Sequence, residues 1–358
     1  MATLGLRDRD AIITKENLIF RVFGYSHPSN AYVCDAEYAP PAIFKSTDPR
    51  ALRSNGQQVF YKFYEDKGWK FVQNSFPQYM IFHEMLRRKV VGVDHTQAAA
   101  VRKPNRKLAD LVEKEPKDEL IAALQKALQF TIEHSGLSVN DFGVFGSILH
   151  GFHHPKFSDL DFTVYGRRKI SKLREGLLEL YRDKSSLLRN EFETEEPVKG
   201  KNWKYQNYSP KEYLWHQRRK LIYALFKDEK SGRVIKTEFE PVKDYDEISN
   251  EYDSKTKIVQ KGWTKMFARV VEDKDAPFIP SVYRIEPLEI LNGQKSTDKV
   301  KCIVSYMEEF RMQAWTDEVI YVEGNLEEVT TSEESFHQIA LTYCPRYYEQ
   351  VLKVTSQK

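Results

Sequence analysis

The sequence has little cysteine and no long apolar run. Its 358 residues include only three cysteines, Cys34, Cys302 and Cys344, and no two of them have CxxC spacing. This scarcity argues against a disulfide scaffold and against a zinc site built on cysteine. It suits a reducing compartment, so we expect the protein in the cytoplasm.

Membrane insertion and secretion also lack a sequence signal. No apolar run approaches the roughly 18 residues that a membrane span needs, and the first ten residues lack the apolar core of a signal peptide. Charged residues make up 30% of the chain, hydrophobic residues 41% and aromatic residues 13%. This is the composition of a globular protein, which excludes a disordered or fibrous chain.

Charge is distributed unevenly along the chain. The net charge is +3 in total, but it is +6 over residues 1–110, +2 over 111–263 and −5 over 264–358. A basic front and an acidic tail are compatible with an anionic ligand bound at the front and middle of the chain. Ordinary variation of the surface would give the same numbers.

The order of patterns predicts an α+β protein in which a central mixed sheet with helices is flanked by β-rich regions at both ends. We predict four segments along the chain. They are a β-rich N-terminal domain (1–85), a basic linker (86–110), a central domain (111–263) and a β-rich C-terminal domain (264–358).

The N-terminal region contains short β-type runs and a hairpin signal. The hairpin would join Val59–Tyr64 to Trp69–Val72. Seven basic residues then lie between positions 86 and 107, with Asp94 as the one acid and Pro104 inside the stretch. We interpret this stretch as a surface linker, either a solvated connector or a segment that follows a phosphate backbone.

The central domain alternates helical and extended patterns. The predicted elements are a helix over 115–135, strands at 142–145, 160–164 and 233–242, and helices at 147–151, 170–189 and 210–226. In the tail we predict strands over 300–310 and 319–323 and a short helix over 335–341.

A pair of aspartates carries the strongest chemical signal. Asp159 and Asp161 are separated by one residue on an apolar strand, so their carboxylates point to the same face. Two such carboxylates repel each other, and a divalent cation relieves this repulsion. Mg²⁺ prefers hard oxygen ligands and completes its shell with water and substrate phosphates.

Gly146 and Ser147 lie where a strand ends and a helix begins. The absent side chain of the glycine lets phosphate oxygens approach backbone N–H groups, and a helix N-terminus favours anions. The serine adds a hydroxyl donor. A phosphate cradle and a metal-binding pair of acids, 12 positions apart, are what metal-assisted phosphoryl or nucleotidyl transfer requires.

This arrangement resembles the DNA polymerase β-like nucleotidyltransferase superfamily. Gly146-Ser147 matches the hG[GS] element and Asp159-Leu160-Asp161-Phe162 matches the [DE]h[DE]h element, with Ser158 before the pair also typical. With its flanking helices the resemblance extends over roughly 115–243. The chain as a whole is also similar to a poorly characterised group of predicted archaeal nucleotidyltransferases.

The resemblance implies a third carboxylate on a neighbouring strand, which binds the metal with the pair and helps to deprotonate the attacking hydroxyl. Glu238 and Glu240 are the candidates, and we prefer Glu240 because it lies nearer the end of its strand. The superfamily most often has aspartate here, so a glutamate is a departure. Two surface glutamates on a half-exposed strand are the alternative.

Basic residues must neutralise a triphosphate. We predict that Arg218 and Arg219, on the helix before the third-acid strand, contribute to nucleotide binding, because arginine forks match phosphate geometry. Arg167-Arg168-Lys169 form a second cluster directly after the metal strand. Either cluster would alternatively serve only to solubilise the end of a helix.

The sequence therefore predicts a nucleotidyltransferase that depends on Mg²⁺, or on Mn²⁺ in its place. It would transfer a nucleoside monophosphate from an NTP to a hydroxyl acceptor, with RNA among the candidate acceptors, and release pyrophosphate. The alternative is a catalytically degenerate protein that binds a nucleotide or RNA on the same fold.

Overall fold

The computed structural model describes residues 5–54, 56–64, 66–293, 299–343 and 346–355. The chain divides into two compact units. The first takes the residues up to 83 together with 89–190 and 222–251, and the second takes 84–88, 191–221 and the residues from 252 on. The N-terminal region and the central core thus share one unit, and the boundaries that we predicted at 85, 110 and 263 do not coincide with this division.

An antiparallel β-sheet forms the N-terminal part of the first unit, with the order β4-β5-β3-β2-β1-β8 and with β7 pairing both β3 and β6. The strands are β1 (Ala11–Thr14), β2 (Ile19–Val22), β3 (Ala31–Ala39), β4 (Leu52–Ser54), β5 (Val59–Lys62), β6 (Met80–His83), β7 (Arg88–Asp94) and β8 (Ala98–Arg102). Helices α1 (Lys67–Ser75) and α2 (Pro104–Val112) belong to the same region.

The predicted hairpin is wrong in its second half, because residues 69–72 lie in α1 and not in a strand. This helix packs closely on β3. A Cβ at Gly68 would lie 2.8 Å from the carbonyl oxygen of Ala36, so the glycine permits the approach of the two backbones. Phe71 and Val72 of this stretch pack in the apolar core of the sheet, whereas Trp69 is 46% exposed.

The predicted linker is also regular structure. Residues 88–94 and 98–102 are strands β7 and β8, and β8 pairs with β1. Pro104, which suggested irregular chain, instead lies in the first turn of α2, where the missing N–H of proline costs nothing. One of the basic residues there is bonded to protein groups: Lys103 Nζ donates to Gly5 O at 2.8 Å and to Tyr245 Oη at 3.0 Å.

The central sheet of the first unit has the order β11-β12-β13-β10-β9. Its strands are β9 (Phe142–Val144), β10 (Leu160–Tyr165), β11 (Leu188–Asn190), β12 (Tyr223–Lys227) and β13 (Val234–Val242), and its helices are α3 (Glu119–Ser135), α4 (Gly146–His150) and α5 (Arg167–Arg182). The pairing of β10 with β13 is parallel and the other pairings are antiparallel, so the sheet is mixed, as predicted.

Helix α3 begins at a side-chain cap and ends at a glycine. The carboxylate of Asp118 accepts hydrogen bonds from the backbone N–H groups of Leu120 and Ile121, at 3.1 and 3.0 Å, and Gly136 follows the last turn with a φ of 63°. The apolar face of the helix is buried, as its spacing predicts.

The second unit is β-rich, as predicted for the C-terminal region. It contains α6 (Pro210–Lys220), β14 (Lys257–Asp275), β15 (Ser281–Asn292), β16 (Val300–Ser305), β17 (Val319–Thr330), β18 (Ser335–Leu341) and β19 (Val351–Val354). The sheet follows the order β14-β15-β16-β18-β17-β19 and closes on itself, because β14 also pairs with β17. Residues 335–341, which we predicted as a helix, are strand β18, whose apolar residues fill the inside of this closed sheet.

Short 3₁₀ turns occur between the larger elements. They lie at Pro49–Ala51, Pro77–Tyr79, His95–Gln97, Val139–Asp141, Glu191–Glu193, Tyr245–Glu247, Glu308–Phe310 and Tyr347–Glu349. Within the described residues, no helix is both long and apolar enough to cross a membrane. Cys34 and Cys302 are free thiols, and Cys344 lies outside the described residues.

Candidate active site

Two parallel strands at the centre of the first unit carry the predicted acids. Asp161 on β10 lies directly opposite Glu238 on β13, and Thr163 lies opposite Glu240. Residues in register on neighbouring strands point to the same face of a sheet, and alternate residues along a strand share that face. The alternation therefore collects the acids of β10 and β13 on one face.

The opposite face of these strands is apolar, and this fixes the orientation of the acids. Phe162 and Phe239 are completely buried, and their rings stack with centroids 5.5 Å apart. A shift of one residue in either strand would place a phenylalanine on the polar face, so burial of the rings keeps the acids in register.

The glycine of the motif lies against the second aspartate. Gly146 has a φ of +60°, and a Cβ built on it would lie 2.6 Å from Asp161 Oδ2. The backbone N–H of Phe145 also donates to the carbonyl oxygen of Asp161 at 3.0 Å. The glycine-serine turn and strand β10 are thus in direct contact, as the sequence pattern predicts.

The two serines of the motif also lie together. Ser147 Oγ is 3.5 Å from Ser158 Oγ, and Ser158 Oγ accepts a hydrogen bond from the backbone N–H of His154 at 2.9 Å. Helix α4 has only five residues, the same length as the short helix that we predicted at 147–151, so its dipole adds little to anion binding. The hydroxyl groups of Ser147 and Ser158 and the space left by the missing side chain of Gly146 are therefore the main features that suit an anion at this turn.

Asp159, directly before β10, and Asp161, on β10, form a pair of acids in which ionisation is disfavoured. Burial, followed by repulsion from Asp159, raises the pKa of Asp161 to about 6. Partial removal of water also raises the pKa of Asp159, although the positive charges of Lys236, Arg233 and Lys62 act against this. Such a pair of carboxylates favours a bound cation or proton.

Three basic residues of this region were missed by the sequence reasoning. Lys236 and Lys62 both exert their charge on Asp159 and Asp161. Arg233 donates from Nη1 to Pro155 O at 2.9 Å and from Nη2 to Ser158 O at 2.7 Å, and so holds the loop that precedes the acids. Lys236 could have been found, because it lies two residues before Glu238 on the same strand face.

Lys62 lies on β5 of the N-terminal sheet, and no pattern in the sequence around it indicated that it lies near the acids. Phe60 lies on the same face of β5, and its ring stacks on Phe152, in the motif loop, at 4.6 Å. Because alternate strand residues share a face, this ring contact turns Lys62 towards the same loop.

Glu238 and Glu240 have different surroundings. Glu240 forms an ion pair with Arg9, and both side chains are only 1% exposed. Glu238 is partly exposed and lies beside Asp161. Within the described ranges, no three or more His, Cys, Asp or Glu side chains are gathered so that they could hold a metal ion by themselves.

The histidines of the motif loop form structural contacts. His150 is buried with Nε2 3.5 Å from Glu37 Oε2 and Nδ1 2.9 Å from Arg102 Nη1. His153 Nε2 lies 2.9 Å from Asp118 Oδ2.

The predicted arginines of α6 belong to the second unit. Arg219 forms an ion pair with Glu318 and lies over the ring of Trp215, 4.5 Å from its centroid. Arg218 Nε donates to Phe192 O at 3.2 Å. The other predicted site residues all belong to the first unit.

Comparison with known proteins agrees with this geometry. Residues 124–239 match the family described as the nucleotidyltransferase domain. Over these residues the chain is similar to nucleotidyltransferase domains. The match begins within α3 and ends within β13, so it includes both aspartates and the glycine-serine turn.

A relative extends the similarity to nearly the whole chain. An uncharacterized protein of Methanocaldococcus jannaschii is 26% identical over 361 residues, covering 98% of this chain and 99% of its own length. No solved structure gives a significant match.

Proposed function

We propose that the protein is a nucleotidyltransferase that uses Mg²⁺ or Mn²⁺ to transfer a nucleoside monophosphate from an NTP to a hydroxyl acceptor. The acceptor oxygen would form a bond to the α-phosphorus while the bond from that phosphorus to the bridging oxygen breaks. Pyrophosphate leaves, and the hydroxyl proton passes to a carboxylate of the acidic face. The observation that carries this proposal is the contact of Asp161 with the Gly146 turn.

The donor set fits a hard divalent cation. Asp159 and Asp161 supply carboxylate oxygens, and burial together with repulsion from Asp159 raises the pKa of Asp161, which a bound cation would offset. Mg²⁺ commonly takes one or two protein carboxylates and fills its remaining positions with water and phosphate oxygens. A bound ion would supply charge neutralisation for the triphosphate and activation of the acceptor oxygen.

The chain's own residues would orient the nucleotide. The hydroxyl of Ser147 and the open backbone at Gly146 suit a phosphate oxygen, because no side chain fills the space beside Asp161. Lys62 and Lys236 would neutralise charge on the triphosphate, since both already act on the two aspartates. These lysines take the role for which the sequence reasoning chose Arg218 and Arg219.

Features of the motif loop support a nucleic-acid acceptor such as RNA. Phe157 is 77% exposed and lies two residues before Asp159, and its ring is 4.5 Å from that of His154. Exposed rings of this kind stack on bases without regard to sequence. The positive charge of Lys62 near the acids would favour a phosphate backbone at the same place.

One observation favours the alternative of a nucleotide-binding protein without chemistry. In the part of the chain that the structure describes, the aspartates do not join a third acid in a preformed metal site. A degenerate site of this kind would bind an NTP but release no pyrophosphate.

The test is transfer of label from each α-³²P-labelled NTP, with Mg²⁺ or Mn²⁺ and total RNA or total protein as acceptor. We expect labelled product and pyrophosphate with the wild-type protein. Asp159→Asn and Asp161→Asn should lower the rate by about 100- to 1,000-fold, as loss of a main electrostatic group does. The control is Asp110→Asn, on the exposed side of α2.

The same experiment, with NTP binding measured beside transfer, distinguishes the nucleotidyltransferase from a protein that only binds the nucleotide. NTP binding without pyrophosphate release, unchanged in Asp159→Asn, would favour the degenerate protein. Transfer by the wild type at the same rate as by both aspartate variants would contradict a metal-dependent mechanism at these residues.

A further inference from the structure

Four consecutive charged residues near the N-terminus are buried. Arg7, Asp8, Arg9 and Asp10 have exposed fractions of 3%, 2%, 2% and 1%. Charged side chains are rarely buried to this degree unless they are paired. Arg9 lies 150 positions before Asp159 in the sequence, but both residues belong to the same unit.

The segment is fixed in place by contacts on both sides of Arg9. The guanidinium of Arg7 lies between two rings, 3.7 Å from the centroid of Tyr165 and 4.1 Å from that of Tyr245, and it pairs with Asp244 at 3.3 Å. Cation–π contacts of this kind are strongest where water is excluded.

Backbone contacts complete the attachment. Asp8 Oδ1 accepts from Gly24 N at 2.9 Å, and Asp10 Oδ2 accepts from Arg7 N at 3.0 Å. The contacts of Arg7, Asp8 and Asp10 thus hold the backbone of Arg9 in place independently of the contacts of its own side chain.

Arg9 reaches two parts of the candidate site. It forms the buried ion pair with Glu240, and its guanidinium lies 5.4 Å from the centre of the Phe145 ring, which directly precedes Gly146. The N-terminal segment therefore contacts both the strand of the third acid and the phosphate turn.

We propose that Arg9 is a positioning residue that holds Glu240 inside the protein and outside the coordination shell of the metal ion. The inference rests on the proposed function. A hydrated Mg²⁺ needs access to its ligands, and the Glu240 side chain is 1% exposed whereas Asp159 is exposed and Asp161 partly so. Separating a buried pair leaves an uncompensated charge, so a metal ion gains little by competing with Arg9 for Glu240.

This arrangement changes the role that we predicted for Glu240 from the sequence. It becomes the counter-ion that ties the N-terminal segment to the end of β13. The acids that meet the metal ion are then Asp159 and Asp161, with Glu238 in register beside them.

The test measures Mn²⁺ binding to the full, metal-free chain by electron paramagnetic resonance, without NTP. Glu240→Gln should bind Mn²⁺ within about twofold of the wild type. Arg9→Gln should bind it more tightly, by up to about tenfold, because a positive charge is lost and a carboxylate is released towards the site. Glu240→Gln in the Arg9→Gln background should abolish this gain, and Arg9→Lys should restore wild-type binding.

A second design protects the test against misfolding. Arg9→Met combined with Glu240→Met removes both charges of this pair. Asp8, whose Oδ2 lies 3.5 Å from Arg9 Nε, keeps its hydrogen bond from Gly24 N. We expect this double variant to fold and to bind Mn²⁺ like the wild type. Arg21→Gln, which breaks an exposed pair with Asp35, is the matched control.

Two results would overturn the inference: weaker Mn²⁺ binding by Glu240→Gln to the extent seen in Asp159→Asn, or weaker binding by the double methionine variant. In either case transfer by the wild type would leave the proposed function intact. If the wild type binds no Mn²⁺ and transfers no nucleotide, both proposals fail.

Discussion

Gly146 and Asp161 lie so close that no side chain fits between them: a Cβ on residue 146 would be 2.6 Å from Asp161 Oδ2. The glycine also has a φ of +60°, which L-residues adopt at a cost. The position therefore combines a backbone requirement with a requirement for empty space next to the carboxylate of Asp161.

Gly146→Ala should abolish transfer, because the new methyl group displaces the Asp161 carboxylate. Gly151→Ala is the matched control, since Gly151 has a φ of +73° but nothing within 4 Å of its Cβ position. Both variants should lose about 1–2 kcal/mol of unfolding free energy through backbone strain. Denaturant unfolding measures the backbone strain that both variants share. Transfer assays measure the effect of the clash with Asp161, which only Gly146→Ala has. Equal transfer by the two variants would contradict this explanation.

Asp161→Asn should stabilise the metal-free protein above pH 6. The folded state raises the pKa of Asp161 to about 6, so the ionised carboxylate opposes folding at neutral pH and its protonation relieves this. The gain should be at most about 3 kcal/mol at pH 7.5 and should fade as the pH falls from 6 towards 4. Unfolding in EDTA across this pH range measures it. A gain that persists at pH 4 would show another cause.

Arg233→Ala should loosen the loop before the acids, because it removes the hydrogen bonds to Pro155 O and Ser158 O. We expect a loss of about 1.5–3 kcal/mol of unfolding free energy and a lower kcat. Arg233→Lys keeps the charge but loses the fork, so it should not restore kcat. Full recovery by lysine would mean that charge alone matters. Arg182→Ala, at the exposed end of α5, serves as the control.

Lys62→Gln should raise the KM for NTP by about 10- to 100-fold if its ammonium group neutralises the triphosphate, as a lost charged contact would. The stability should change little, because the side chain is partly exposed. Steady-state kinetics measure the effect, with the exposed Lys15→Gln as the control. A KM equal to that of the Lys15 variant would remove Lys62 from the binding site.

The contact of the Gly146 turn with the strand of Asp161 could be predicted because its signal is local. Because side chains alternate along a strand, the buried Phe162 places Asp161 on the opposite, polar face. The positive φ at residue 146 is a conformation that glycine adopts readily. The elements at the motif were correct for the same reason, since each depends on a few consecutive residues.

Contacts between distant segments could not be predicted. Arg9 meets Glu240 across 231 positions, and no periodicity in either segment indicates the pairing. Pro104 misled the prediction because proline interrupts regular structure at most positions but is favoured in the first turn of a helix. Only the tertiary context decides which of the two applies. The aromatic residues after Gly68 likewise fit a strand or a helix that packs on a sheet.

The ring contact between Phe60 and Phe152 makes the transferase core dependent on the N-terminal sheet. A fragment that starts at residue 111 would expose Phe152 and Leu149 to water, since both pack in a cluster with Phe60 and Tyr38. Such a core is not a transplantable module. A substitution that changes the ring at Phe60 or at Phe152 instead requires a compensating substitution at the other position.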